Sequence, residues 1–222
     1  MNVLIVLAHP EPQSFNGALF DTAVSTLHEA GHHVATSDLY RMGFNPVSGR
    51  HNFTTVKDPA FLKLQVEESH ASETHGFALD IETELQKLEA ADVMIWQFPL
   101  WWFGLPAILK GWVDRVFAMG RVYGYGHIYD TGRFRDKRAL LSLTTGGPAE
   151  AYVPGGFNGD LDAILRPIHR GMLQFTGFSV LQPAVHWQPA HVEPAARQDW
   201  LDAWAERLRH IEQEAPIEVG QY

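Results

Sequence analysis

Residues 97–117 read QFPLWWFGLPAILKGWVDRVF, and this stretch decides the fold. The apolar run 93–98 stops at Pro99, three large rings follow at Trp101, Trp102 and Phe103, and after Gly104 a helix-like segment runs from Pro106 to about Met119. The pattern is a buried strand, an aromatic loop and a crossover helix. In an open α/β sheet, ligands sit at the carboxyl ends of the strands. Three consecutive side chains cannot all enter one core, so at least one of these rings lines a cleft or a partner surface.

Similar units lie on both sides. Residues 3–8 are an unbroken apolar run with branched side chains, as in a central parallel strand, and Ser14 is placed to cap a helix that ends near Gly31. Residues 33–38 predict a second strand, 138–144 a fourth ending in Thr144-Thr145-Gly146-Gly147, and 180–185 a short fifth. Helices are expected over 81–91, 161–175 and 194–214, the last with Trp200, Trp204, Leu208 and Ile211 at helical spacing. Residues 41–76 are mixed in polarity and too long for an ordinary connection, so they wrap the surface or carry part of a site. Five strands alternating with helices predict an α/β, doubly wound parallel sheet of order 2-1-3-4-5, in one domain over 1–222.

Composition narrows the partners. The 222 residues carry a formal net charge of -9, which opposes binding to nucleic acid phosphates or anionic lipid. There is no cysteine, which removes disulfides, thiolate catalysis and Cys-ligated metals and is compatible with a reducing, cytoplasmic setting. No signal peptide is recognisable, and the apolar region 93–113 is interrupted by Gln97, Pro99, Pro106 and Lys110, so membrane insertion is not expected.

In a 2-1-3-4-5 sheet the loops after strands one, three and four are neighbours. Residues 9–16, 99–104 and 144–147 therefore converge on the crevice beside strand one. The first loop has neither GxGxxG nor GxxxxGK[ST]. It opens a helix at Ser14, Phe15 and Asn16, whose free amides suit a phosphate, although Ser14 alone reads first as an N-cap. The glycine pair Gly146-Gly147 lets backbone approach a planar ligand. His28-Glu29-Ala30-Gly31-His32 matches HExxH, but Gly31 sits at the expected helix end, so the two histidines do not share a stable helix face. Ser14 and His9 are not accompanied by a G-x-S-x-G elbow, which argues against a hydrolase.

The segments LIVLAHPEPQSFNG (4–17), SDLYRMGFNP (37–46), KLEAADVMIWQFPLWWFGLPAILKGWVDRVF (87–117), LLSLTTGGPAEAY (140–152) and GFSVLQP (177–183) occur in an order that resembles the NAD(P)H:quinone oxidoreductase family of flavoproteins, the DT-diaphorase type. The resemblance spans nearly the whole chain. It implies a flavodoxin-like fold and a homodimer with an active site shared between subunits. It also implies FAD, with FMN less favoured, and hydride transfer from NAD(P)H through the flavin to quinones, both substrates using one pocket in turn. By position it implies that His9, Phe15, Asn16, Gly17 and, less directly, Gln65 contact the phosphate, ribityl and adenine parts of FAD. Pro99, Leu100, Trp101, Trp102 and Phe103 would hold the ring system, and Thr144, Thr145, Gly146, Gly147 and Tyr152 would flank its N1–O2 side. Glu193 and Arg197 match positions near the cofactor's outer part. Tyr123, Tyr125, Ile128, Phe175 and His191 would line the substrate pocket, partly from the partner. Gly147 and Tyr152, with Asn158 beside them, are the implied catalytic group: donors that stabilise negative charge on the reduced flavin.

Two departures place the chain nearer the family's shorter branch. Asn158 stands where some members have a histidine, and asparagine cannot take up a proton near neutral pH. The sequence stops at Tyr222, without the C-terminal segment of longer members. Part of the shorter branch prefers dihydronicotinamide riboside, so the hydride donor stays open. That branch's metal site has histidines where this chain has Arg170 and Gln174, so no metal is implied. A non-enzymatic flavoprotein, either an electron carrier or a transporter's regulatory subunit, and an FMN-dependent azo- or nitroreductase are the alternatives. The aromatic loop with Tyr123 and Tyr125 favours an enzyme, and the 41–76 insertion favours FAD.

Overall fold

In the computed structural model, which describes residues 1–220, β1 (Asn2–Leu7) is covered on both faces. Val3 and Ile5 pack with Leu19, Ala23 and Leu27 of α1 (Phe15–Glu29), whereas Leu4 and Val6 enter a separate core on the other side. Burial on two faces is why the strand is continuously apolar rather than alternating. Gln221 and Tyr222, the last residues of the expected 1–222 domain, lie outside the described residues.

The chain continues through β2 (His33–Asp38), α2 (Leu64–Thr74), α3 (Leu79–Ala90), β3 (Val93–Pro99), α4 (Ala107–Val116), β4 (Arg138–Thr145), α5 (Leu161–Ile168), β5 (Ser179–Val180), β6 (Ala184–Trp187) and α6 (Pro194–Arg209). All strand pairings are parallel and the order is β2-β1-β3-β4-β5, with β6 also on β4. This is the flavodoxin-like arrangement expected from the sequence. α6 joins α1 on one face through Trp204 and Leu208, while α3 and α4 cover the other through Ile81, Leu85, Leu109 and Trp112.

Three elements differ from expectation. The fifth strand is two short pieces, because Pro183 lies between them and cannot donate to a ladder. The segment expected to be helical over 161–175 is α-helical only to Ile168, then π-helical over His169–Leu173 and 3₁₀ over Gln174–Thr176. The long 41–76 excursion contains α2, which apolar periodicity did not reveal.

Polar bonds hold that excursion in place. The Arg115 guanidinium, 2% exposed, donates to the Asn45 carbonyl, Asn52 Oδ1 and Asp80 Oδ2 at 2.8–2.9 Å. Amides of Lys57 and Asp58 donate to the Glu67 carboxylate, which holds its pKa below the usual carboxylate value. Two strand ends also align: Pro99 pairs with Thr144, and Thr144 with His186. The loops that follow therefore leave the sheet side by side.

Candidate active site

The loops after β1, β3 and β4 converge as expected and are joined by residues 188–191, which follow β6. Together they enclose a cleft of about 900 Å³, within the size range of small-molecule sites.

One wall is the N-terminus of α1. Ser14 caps it, its Oγ accepting from the Gly17 amide at 3.1 Å, and no backbone acceptor engages the Phe15 and Asn16 amides among the described residues. Gly17 lies beneath this wall rather than in the cleft. A Cβ there would sit 2.0 Å from the Pro12 carbonyl oxygen, so only glycine lets the helix meet its preceding loop. His9 turns back on that loop, with Nδ1 accepting from the Glu11 amide, and its ring centre is 6.1 Å from that of Trp101.

The floor is a buried amide relay. Gln97 Nε2 donates to Asn16 Oδ1 at 2.9 Å, and Asn16 Nδ2 donates to Thr144 Oγ1 at 2.9 Å. One asparagine thus ties the start of α1 to the ends of β3 and β4. Gln97 Oε1 has no partner among the described residues.

The aromatic loop is a tight turn in which the Gly104 amide donates to the Trp101 carbonyl. Trp102 and Phe103 at its centre have φ of 51° and 58°, the left-handed region that hairpin turns of this kind normally give to Asn-Gly. Two large side chains held there store of the order of 1–3 kcal/mol each. All three rings reach the cleft, and Trp102 is 97% exposed. The Leu100 and Trp101 amides already bond Thr144 and Pro99 carbonyls, which leaves the Trp102 and Phe103 amides as the loop's open donors.

The remaining wall is the end of β4. Thr145 Oγ1 donates to the Gly147 carbonyl, and Gln188, itself left-handed, donates from its amide and Nε2 to the carbonyls of Thr145 and Gly146. A Cβ on Gly147 would meet Tyr152 Cε2 and Asn158 Nδ2 at 3.0 Å, whereas one on Gly146 would meet open space. The Tyr152 ring and the Asn158 amide thus both lie close to Gly147. Tyr152 is buried between the rings of Trp187 and Phe103. Farther out, the cleft takes in His191 and Arg197, whose guanidinium donates to the Pro189 and Val192 carbonyls. Glu193 precedes α6 with an exposed side chain and does not line the cleft.

His186 underlies this wall, edge-on to Phe15 and tilted against Trp200, with Nε2 unpartnered among the described residues. Burial lowers its pKa to about 4, and Arg207 contributes. Burial alone does the same to His169, to about 4. Both rings are neutral at pH 7.

A second group gathers elsewhere on the chain. Gln65, on α2, donates from Nε2 to the Tyr123 hydroxyl at 3.2 Å. Tyr123 packs on Phe175, and Phe175 on Tyr129, at 5.8 and 5.4 Å between ring centres. Tyr125 is 92% exposed and Ile128 37%. Burial raises the pKa of Tyr123, an effect the Gln65 bond opposes; burial likewise raises that of nearby Glu68. None of Gln65, Tyr123, Tyr125, Ile128 or Phe175 lines the large cleft of its own chain. Among the described residues, no helix is long and apolar enough to cross a membrane.

A family model described as the flavodoxin-like fold matches residues 1–208. NAD(P)H dehydrogenase (quinone) 1 of Rattus norvegicus is 46% identical over 215 residues, covering 96% of this chain and 78% of that protein. The ribosyldihydronicotinamide dehydrogenase (quinone) of Homo sapiens is 44% identical over 216 residues, covering 97% and 94%. The chain belongs to the flavodoxin-like quinone reductase family. A solved structure from Klebsiella pneumoniae, assigned as a quinone reductase, superimposes with a TM-score of 0.93 at 42% identity, covering 98% of this chain and 87% of that one.

Within this quinone reductase fold, Gln97 and Gln188 support the site without having been singled out from sequence. Gln97 had a legible signal: it is the one amide in the otherwise apolar strand VMIWQFP. Gln188 had none, since its role depends on β6 ending beside β4.

Proposed function

We propose that this chain is a flavin-dependent NAD(P)H:quinone reductase. One observation carries the reading. The cleft brings together the unpaired amides of Phe15, Asn16, Trp102 and Phe103 with flat walls from Trp101, Phe103 and Tyr152, in a member of the quinone reductase family. Free amides at a helix N-terminus suit a diphosphate, and aromatic walls around an open Gly146 suit a planar ring system. The donor set and shape fit a flavin. Bound there, the flavin would supply the hydride chemistry.

The chain's own residues would then bind, orient and exclude water. Phe15 and Asn16 hold the phosphate end, assisted by His9. The Trp101–Phe103 turn offers its two open amides along one ring edge. At the other edge, the Gly147 amide and the Tyr152 hydroxyl stabilise developing negative charge, with the Asn158 amide close to Gly147. Asn158 donates hydrogen bonds but relays no proton, so Tyr152 acts as a fixed donor.

FAD is favoured over FMN because the cleft continues past the glycine turn to His191 and Arg197, giving an adenosine room. The Tyr123–Phe175 rings, outside their own cleft, suit a two-fold dimer in which they complete the partner's substrate pocket; Gln65, matched to a cofactor position by the resemblance, bonds Tyr123 here and would support that pocket instead. Nicotinamide and quinone would occupy that pocket alternately.

The test is an anaerobic stopped-flow spectrum of flavin-loaded protein mixed with NADH, NADPH or dihydronicotinamide riboside, then with a quinone. Bleaching of the flavin band followed by recovery on quinone addition is expected, and the fastest donor is thereby named. Bound flavin that no donor bleaches would overturn the enzyme reading in favour of a carrier or regulatory protein. Chromatography of the acid-released flavin separates FAD from FMN.

A further inference from the structure

A second cavity, of about 630 Å³, lies away from the cleft. Its wall combines the π-helical turn and following 3₁₀ turn (Arg170, Gln174), the turn holding Tyr129 and Asp130, the chain just before β4 (Arg135), and the segment Pro216–Val219. Arg170 is the notable group. Its guanidinium carbon lies 4.8 Å from the centre of the Tyr129 ring, stacked on it, and its one side-chain hydrogen bond is a long one, 3.4 Å to Gln174 Oε1. No carboxylate approaches it within 4.0 Å among the described residues, unlike buried Arg115, whose donors are met on three sides.

A half-buried guanidinium keeps five N–H donors in a plane, and those of Arg170 that the described residues do not bond face the cavity, where an acceptor can reach them. Two further features mark this place. It lies in a π-helical segment, an irregularity often found at functional sites. The Tyr129 backbone beneath it is left-handed, with φ of 49°. Arg135, itself 68% exposed, adds a second guanidinium, whose one ion contact among the described residues is 3.9 Å to Asp136. Asp130 is the cavity's one carboxylate among the described residues, and there the two guanidiniums outnumber it.

We propose that this cavity binds an oxyanion, a carboxylate or phosphate group held edge-on by the Arg170 fork. The planar fork matches two coplanar oxygens, a geometry that lysine cannot reproduce. Such an anion would supply the acceptors that Arg170 lacks while leaving its stack on Tyr129 intact.

The test is thermal unfolding of the flavin-loaded protein in sodium acetate, sodium phosphate and sodium chloride at matched ionic strength. Loading the flavin keeps free phosphate out of the cleft. A saturable rise in Tm of about 3 °C at ten times the dissociation constant is expected with acetate, phosphate or both, and not with chloride. Acetate alone responding identifies a carboxylate ligand, and phosphate alone a phosphate. Arg170→Gln should abolish the rise. Arg170→Lys, which keeps the charge, should weaken binding at least tenfold and serves if the glutamine variant folds poorly. A response no larger than that of chloride, or one that survives in both variants, overturns the proposal.

Discussion

The cleft and the Gln65–Phe175 group are both aromatic, yet they are built in opposite ways. The cleft is made of strand ends locked to one another by backbone bonds and side-chain amides: Leu100 bonds Thr144, Gln188 bonds Thr145 and Gly146, and the Asn16 amide bridges Gln97 and Thr144. The second group sits on excursions from the sheet, joined by one side-chain bond and by ring contacts. A site fixed at strand ends by backbone and buried amide bonds is preorganised before a ligand arrives, and one carried on peripheral side chains can adjust to different ligands. That division suits a resident cofactor on one side and exchanging substrates on the other.

The comparison breaks most readily at Gly17. Gly17→Val drives a side chain into the Pro12 carbonyl, and neither backbone can yield cheaply. A loss of roughly 2–3 kcal/mol is expected in urea unfolding, with flavin lost on gel filtration. A variant that keeps both stability and flavin would show that the α1 wall is not preorganised.

Acid should act next, and on the cleft side through His186. His186 and His169 have folded pKa values of about 4, below the 6.5 of the free side chain. The unfolded chain therefore takes up protons first. Stability falls as pH drops from 6.5 toward 4 and levels off below that, by roughly 3 kcal/mol per histidine. Unfolding midpoints measured across that window, with His186→Phe flattening part of the slope, check this.

Asn16→Ala leaves the Gln97 amide and the Thr144 hydroxyl without partners, at a cost of about 2 kcal/mol. Weaker flavin retention should accompany the lower urea midpoint. Tyr152→Phe removes one hydroxyl at the ring edge and should slow flavin reduction about tenfold with flavin still bound; an unchanged rate would remove Tyr152 from the chemistry. The smallest effect belongs to the second group. Tyr123→Phe breaks the Gln65 bond, worth about 1 kcal/mol, and should raise the quinone KM without altering flavin retention. Flavin loss in that variant would erase the distinction between the two regions.

The sequence made the cleft side legible for the same reason that it is rigid. Buried parallel strands must be apolar on both faces, so β1, β3 and β4 stand out, and the loops at their ends are located with them. The second group hides in polarity. α2 buries Glu67 and Glu68 where an apolar stripe would have announced a helix, and Arg115 anchors the excursion through carbonyls and amides that leave no pattern. Pro183 was visible as a residue, but its division of the last strand mattered only once both halves were seen to pair with β4. The residue resemblance located Tyr123, Tyr125 and Phe175; only the fold separated them from the cleft of their own chain.

That separation makes the two halves of the proposed site independently inheritable. A chain carrying Gly17→Val and a chain crippled in the Tyr123 cluster would each fail alone. Co-expressed, they would form mixed pairs of the proposed dimer, in which one of the two sites draws only on undamaged halves. With random pairing, about a quarter of the normal activity would return. Two broken genes would rescue one another inside a single particle.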